Sequence, residues 1–213
     1  MNREPLSRQR IVDTAMRLVD AEGLPAFTMR RLAEELGVEG ASLYKHIPSK
    51  ASVLIGMLQA ITSEVAPVYP ASPTWRDRLR VGMSAFREEG LRHPQVFVLA
   101  LRPWEGINSQ RREDDMRAML EAGFTPEQAA FAFRALLSYV TGFVARETSY
   151  ITRDPEEVRE AHDEAIHSMA AFPYSVAASQ LLAQPRLDEA FEFGLNALLE
   201  GIESQVRSTG SRD

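Results

Sequence analysis

Between positions 28 and 50 the chain gathers side chains whose chemistry is to bind rather than to react. The stretch TMRRLAEELGVEGASLYKHIPSK contains Thr28, Arg30, Ser42, Tyr44, Lys45, His46, Ser49 and Lys50: hydroxyls, a phenol, an imidazole and three cations. Groups of this kind hold phosphate oxygens, as do the free N–H groups at a helix start. Thr28 and Ser49 stand where helices should begin, and Lys50 lies just inside the second of these. Tyr44 can donate its hydroxyl to a phosphate, and Arg30 can reach either a base edge or the backbone.

These residues need a stiff frame, and the periodicity supplies one. From Ser7, Ile11, Ala15, Leu18 and Val19 share a helical face that Gly23 stops. Thr28 looks like the N-cap of a second helix, with Leu32, Ala33 and Leu36 along its apolar edge, and Gly37 ends it. A third short helix runs over about 40–46, carrying Gly40 and Ala41 at its tip. Two helices meeting at a tight glycine turn make a helix-turn-helix, whose second helix lies in the DNA major groove. Spacing alone leaves a second reading open: a compact three-helix core with a solvated basic face.

A connector helix over 49–66 follows, with Val53, Leu54, Met57, Leu58 and Ile61 on its buried side. Pro67, Pro70 and Pro73 then mark a boundary. The predicted organisation is a head over 1–50 and a body over 51–213, the connector shared between them. The body also reads as helical. Helices are expected from Thr74, over QVFVLAL, over about 108–122, from Thr125-Pro126, from Asp154-Pro155, over Tyr174 to Ala183, and from Leu187 to about Val206. Alternating strand patterns and internal repeats are missing, so the fold class is all-α.

Other chemistries lack their residues. With no cysteine there is no disulfide framework, thiolate metal site or cysteine nucleophile. His162 and His167 are five apart, which does not align them on one helix face as metal ligands. A phosphate loop, a nucleophile elbow and HExxH are all missing. The expectation is therefore no enzyme, no metal and no cofactor. The acidic run Glu156, Glu157, Glu160, Asp163 and Glu164 reads as a solvated helix face. The formal charge is −6 over 213 residues. Eight cations against seven anions leave the first fifty residues at +1, so the body carries −7. The N-terminus does not read as a signal peptide, and the run Val96 to Leu101 is too short to span a bilayer. A soluble cytoplasmic protein without membrane association is expected.

From Ile11 to Leu58 the chain resembles the N-terminal domain of TetR-family transcriptional regulators, through IVDTAMRLVDAEG, FTMRRLAEELGV and SLYKHIPSK. Its body is similar to the tetracycline-repressor subclass, through TWRDRLR, FREEGLRHP, the Arg-Pro pair, EAGFTPEQA, LLSYVTGFV and EAFEFGLNALLEGIE. The resemblance implies a homodimeric repressor that binds palindromic double-stranded operator DNA and releases it on binding a small molecule. A protein partner, no ligand at all, or activation remain the alternatives. Gly40 and Ala41 offer no side-chain donors where the subclass carries a Gln-Pro pair. Base discrimination would then rest on Arg30, Ser42, Lys45 and contact of Ala41 with a thymine methyl.

In the family, helices matching 125–150 and 186–206 pair with their counterparts across a dimer interface. The residues agree, because Phe131, Leu136, Leu137, Val140, Phe143 and Val144 point in too many directions for one core face. Phe191, Leu195, Leu198 and Ile202 repeat the theme, with a large monomeric core as the alternative. The effector pocket is expected among Met57, Ile61, Met83, Phe86, Phe97, Leu101, Trp104, Met116, Leu120, Leu136, Ser138 and Tyr139, each of which could equally be plain core. Methionine and flat aromatics suit a bulky, flat, apolar ligand. Arg87, His93 and Ser138 could anchor its polar groups. The subclass holds a drug–magnesium complex with two histidines, near the end of the connector and before the Arg-Pro pair. Ala66 and the histidine-free QVFVLAL stand there instead, so magnesium–tetracycline is not the expected effector.

Overall fold

The computed structural model describes residues 5–63, 68–101, 110–151 and 186–209, together with single residues between 156 and 175. Every regular element among them is helical. α1 (Arg8–Glu22) is capped by Ser7, whose hydroxyl accepts from the Arg10 N–H. α2 (Met29–Leu36) starts the same way from Thr28 and ends at Gly37, which takes the left-handed conformation at φ 65°. α3 spans Gly40–Tyr44, so Lys45 and His46 fall in the turn after it rather than in a helix reaching 46. α4 (Lys50–Ser63) is capped by Ser49, whose Oγ accepts from the Ser52 N–H.

In the body, α5 (Trp75–Arg92) opens with a reciprocal capping box between Thr74 and Asp77. The hydrogen bonds from Thr74 hold the Asp77 carboxyl below its ordinary pKa. QVFVLAL splits into α6 (Pro94–Phe97) and a 3-10 turn, Val98–Leu101. After them come α7 (Gln110–Glu121), α8 (Pro126–Ile151) and α9 (Leu187–Thr209). Trp104, Ala66 and most of the expected helices from Asp154 and Tyr174 lie outside the described residues.

One apolar core runs unbroken from Ile11 and Val12 in α1, through Met57 and Ile61 in α4, to Leu136 in α8 and Leu195 in α9. α4 packs on both α1 and α5, which makes it one physical link between head and body; the packing of α1 on α6 is another. α1 and α4 approach closely at Gly56, where an added Cβ would stand 2.7 Å from Val12 Cγ2. A side chain there would force the link apart. α8 is apolar and long enough to cross a membrane, but it packs against α5, α7 and α9. Only 33% of its most apolar window is buried within the chain.

Candidate nucleic-acid interface and effector site

Leu43 and Ile47, almost fully buried, pin α3 and its following turn to the head core. The residues around them consequently face out: Gly40, Ala41, Tyr44, Lys45 and His46 are exposed and Ser42 is half-buried. An exposed phenol, ammonium and imidazole on consecutive residues is an arrangement suited to a polyanion. Arg30 also projects into solvent, its guanidinium 3.3 Å from Glu34, a contact weak enough to be exchanged for another anion. Arg31 has a different role. It bridges Glu22 and Glu35, tying α2 to the end of α1, and the hydrogen bonds it donates to these two carboxylates raise its pKa.

Three expected phosphate contacts are partly engaged inside the head. The Thr28 and Ser49 hydroxyls each accept a cap bond. The Lys50 ammonium donates to the Phe27 carbonyl at 2.6 Å and lies 5.3 Å from the Phe27 ring centroid. Lys50 therefore holds the start of α4 against the loop between α1 and α2. An ammonium has three donors, so two remain for another partner.

In the body the structure brings together Met57, Ile61, Met83, Phe86, Phe97 and Leu136, all buried in the same core. The Phe86 and Phe97 rings lie 5.0 Å apart. Met116 and Tyr139 pack partly buried against that core. Leu101, Leu120 and Ser138 are exposed, so they do not join this group. The Tyr139 hydroxyl donates to the Phe191 carbonyl at 2.9 Å, seaming α8 to α9. Burial raises its pKa.

Two of the expected polar anchors are committed elsewhere. Arg87 makes a two-pronged pair with Glu147 at 2.6 and 2.9 Å and a third bond to Asp188. His93 turns toward the head and meets Asp20. Phe191 and Leu195, expected at a dimer interface, are fully buried within the chain, because α9 turns that edge onto α5 and α8. Phe131 stays exposed, Phe143, Leu198 and Ile202 are half-buried, and Phe193, which the sequence reading passed over, is 80% exposed.

A second polar cluster had not been expected. Asp115 lies in α7 with its side chain 3% exposed and its Oδ1 3.7 Å from Arg78 Nε. The Arg78 guanidinium lies 4.9 Å from the Tyr69 ring centroid. Asp115 Oδ1, Arg78 Nε and the Tyr69 hydroxyl are buried and have no hydrogen-bond partner among the described residues. Arg111 borders the cluster and donates to the carbonyls of Thr62, near the end of α4, and Gly82 in α5. Burial pushes the Asp115 carboxyl up to about 6, against the pull of Arg111 and Arg78. Burial also raises the Tyr69 phenol. The sequence did hold a signal: Asp115 stands four residues before Met119, a carboxylate on the buried stripe of its helix.

A helical head with an outward α3, which α4 and α6 hold to an apolar body, defines a helix-turn-helix regulator. The comparisons give its family. Residues 11–57 match the model for bacterial regulatory proteins of the tetR family. Residues 69–206 match the tetracyclin repressor-like C-terminal domain. The chain belongs to the TetR family of transcriptional regulators. It is 33% identical over 168 residues to an HTH-type transcriptional regulator of Saccharopolyspora erythraea, covering 78% of this chain and 71% of the relative. It is 26% identical to the class E tetracycline repressor protein of Escherichia coli, covering 94% of this chain and 92% of the other. Among solved structures, Streptomyces coelicolor ActR in complex with actinorhodin matches with a TM-score of 0.80 and 27% identity, covering 95% and 99% of the two chains.

Proposed function

We propose that this chain is a homodimeric repressor whose operator binding is relieved by a bulky, largely apolar molecule carrying a hydroxyl group. The observation that carries the effector reading is the trio of unpartnered buried atoms on Tyr69, Arg78 and Asp115. Buried polar groups are normally paired, so three orphans in one place mark a site meant to hold a partner. A ligand hydroxyl can accept from Arg78 Nε while donating to Asp115, and the neighbouring apolar core suits the rest of an aromatic body. ActR, similar in fold, is solved in complex with actinorhodin, which supports a small-molecule effector.

Apolar surface on α8 and α9 supports the homodimer reading. Phe131, Leu137 and Phe193 are exposed on these two helices, apolar surface that a second copy could cover. Two heads held rigidly can read half-sites one DNA turn apart, ~34–36 Å. α4 is the lever, since its start abuts the head and its far end is held by Arg111 beside the polar cluster. The effector must bind the non-operator arrangement better than the operator one, because only differential affinity shifts the equilibrium. The test is a duplex selected from random sequence, challenged with actinorhodin and a panel of hydroxylated aromatics. A compound that releases the duplex and raises the melting temperature supports the reading. If every compound that stabilises the protein leaves duplex binding unchanged, the switch is refuted.

A further inference from the structure

The structure assigns His93 to a latch between the DNA-reading head and the body, closed on Asp20 of α1 and distinct from the lever α4. The inference rests on reading the chain as an operator-binding regulator. Asp20 lies near the end of α1, and its Oδ2 is 2.6 Å from His93 Nδ1. With Nδ1 protonated, the imidazole donates to this carboxylate. The other ring nitrogen, Nε2, faces Glu89 Oε2 at 3.9 Å. Glu89 is almost wholly buried, and its Oε1 is taken by Arg92. Asp20 Oδ1 and Glu89 Oε2 are buried and have no hydrogen-bond partner among the described residues. A single imidazole thus stands between two carboxylates from different elements, one in the head and one in the body.

Its backbone position makes this contact more than a surface pair. His93 ends α5 and begins α6, and its carbonyl accepts from the Val96 and Phe97 N–H groups. The same residue therefore anchors α6 through its backbone and α1 through its ring. Phe97 in α6 packs on Phe86 and lies against Gly90, where an added Cβ would stand 2.6 Å from its ring. Any displacement of Phe97 is passed by this tight packing to α6 and from there to Asp20. Helix α1 packs on both α4 and α6, so the head is steered at two points.

The test is a double-mutant cycle on the full chain, with the duplex selected by the wild type as probe. Asp20→Asn, His93→Gln and the double variant are each expected to lower duplex affinity about tenfold, and by the same factor, since either change opens one latch. Hydrogen exchange should quicken in α1–α3 while α8 and α9 keep their protection. Additive losses overturn the proposal, and so does a fall in melting temperature with unchanged duplex affinity. Should His93→Gln fail to fold, Asp20→Asn carries the same expectation through affinity and exchange. If the wild type enriches no duplex, the operator reading and the latch fall together. Wild-type binding that the variants match removes only the latch.

Discussion

The body buries two ionic clusters, and they differ in how completely they are satisfied. In the first, the Arg87 guanidinium spends its donors on Glu147 and Asp188 and lies 4.8 and 5.7 Å from the ring centroids of Phe191 and Phe143. Burial alone would lower the Arg87 pKa, but the two carboxylates more than offset it and leave it raised. In the second, Arg78 and Asp115 face one another at 3.7 Å with orphaned atoms on both, and the Asp115 carboxyl is pushed up. The first joins α5, α8 and α9 and is complete without anything added. The second lies by the end of α4, and its orphaned atoms have no hydrogen-bond partner among the described residues, which is why we propose it as the effector's polar anchor. Burial of charge does not by itself distinguish a strut from a site; the state of its hydrogen bonds does.

Substitutions should separate the two clusters, and the largest effect belongs to the strut. Arg87→Ala leaves Glu147 buried and unpaired and is expected to cost about 3–5 kcal/mol in denaturant unfolding. A loss below about 1 kcal/mol would mean the pair is not the strut described. Asp115→Asn should act in the opposite direction, stabilising the chain by about 1–3 kcal/mol above pH 7. The sign follows from the raised carboxyl. Between pH 3.8 and about 6 the folded chain holds a proton that the unfolded chain has released. Wild-type stability therefore falls as pH rises through that window, whereas the amide has no charge to bury. Melting curves of both proteins at several pH values check this, and the difference should vanish below about pH 4. Equal curves at high pH would place Asp115 in a solvated setting.

Smaller effects sharpen the contrast. Asp188 is 89% exposed, so Asp188→Asn should change stability by less than about 1 kcal/mol although its bond to Arg87 is short. Tyr69→Phe removes a buried hydroxyl that has no partner among the described residues, and its melting temperature should equal or exceed that of the wild type. The same variant should weaken the response to any hydroxylated effector found by the release assay. A marked loss of stability in Tyr69→Phe would show that the hydroxyl is already satisfied in the free protein.

Legibility in the sequence follows the range of the interactions. Thr28, Ser49, Thr74 and Gly37 were readable as helix limits because each acts on a backbone group within a few residues. The outward face of α3 was readable for the same reason, since Leu43 and Ile47 decide what points away. The sequence gives Lys50 only as a phosphate contact, because nothing in its neighbourhood announces the Phe27 carbonyl, 23 residues earlier. Arg87 and His93 were read as ligand anchors because their acidic partners are 60, 101 and 73 residues away. Phe191 and Phe193 look alike in FEFG, and only the turn of α9 on α5 and α8 buries one and exposes the other.

By itself the sequence determined an all-helical chain, a short reading head with an outward basic and aromatic tip, and the TetR-family resemblance that the comparisons bear out. Those properties rest on period, caps and turns, which are local and leave their mark residue by residue. The tertiary structure alone decided which buried charges are paired, which are left wanting, and that His93 looks toward the head. Pairing across a hundred residues depends on how helices cross, and crossing is set by the packing of whole faces, which no short stretch of sequence records.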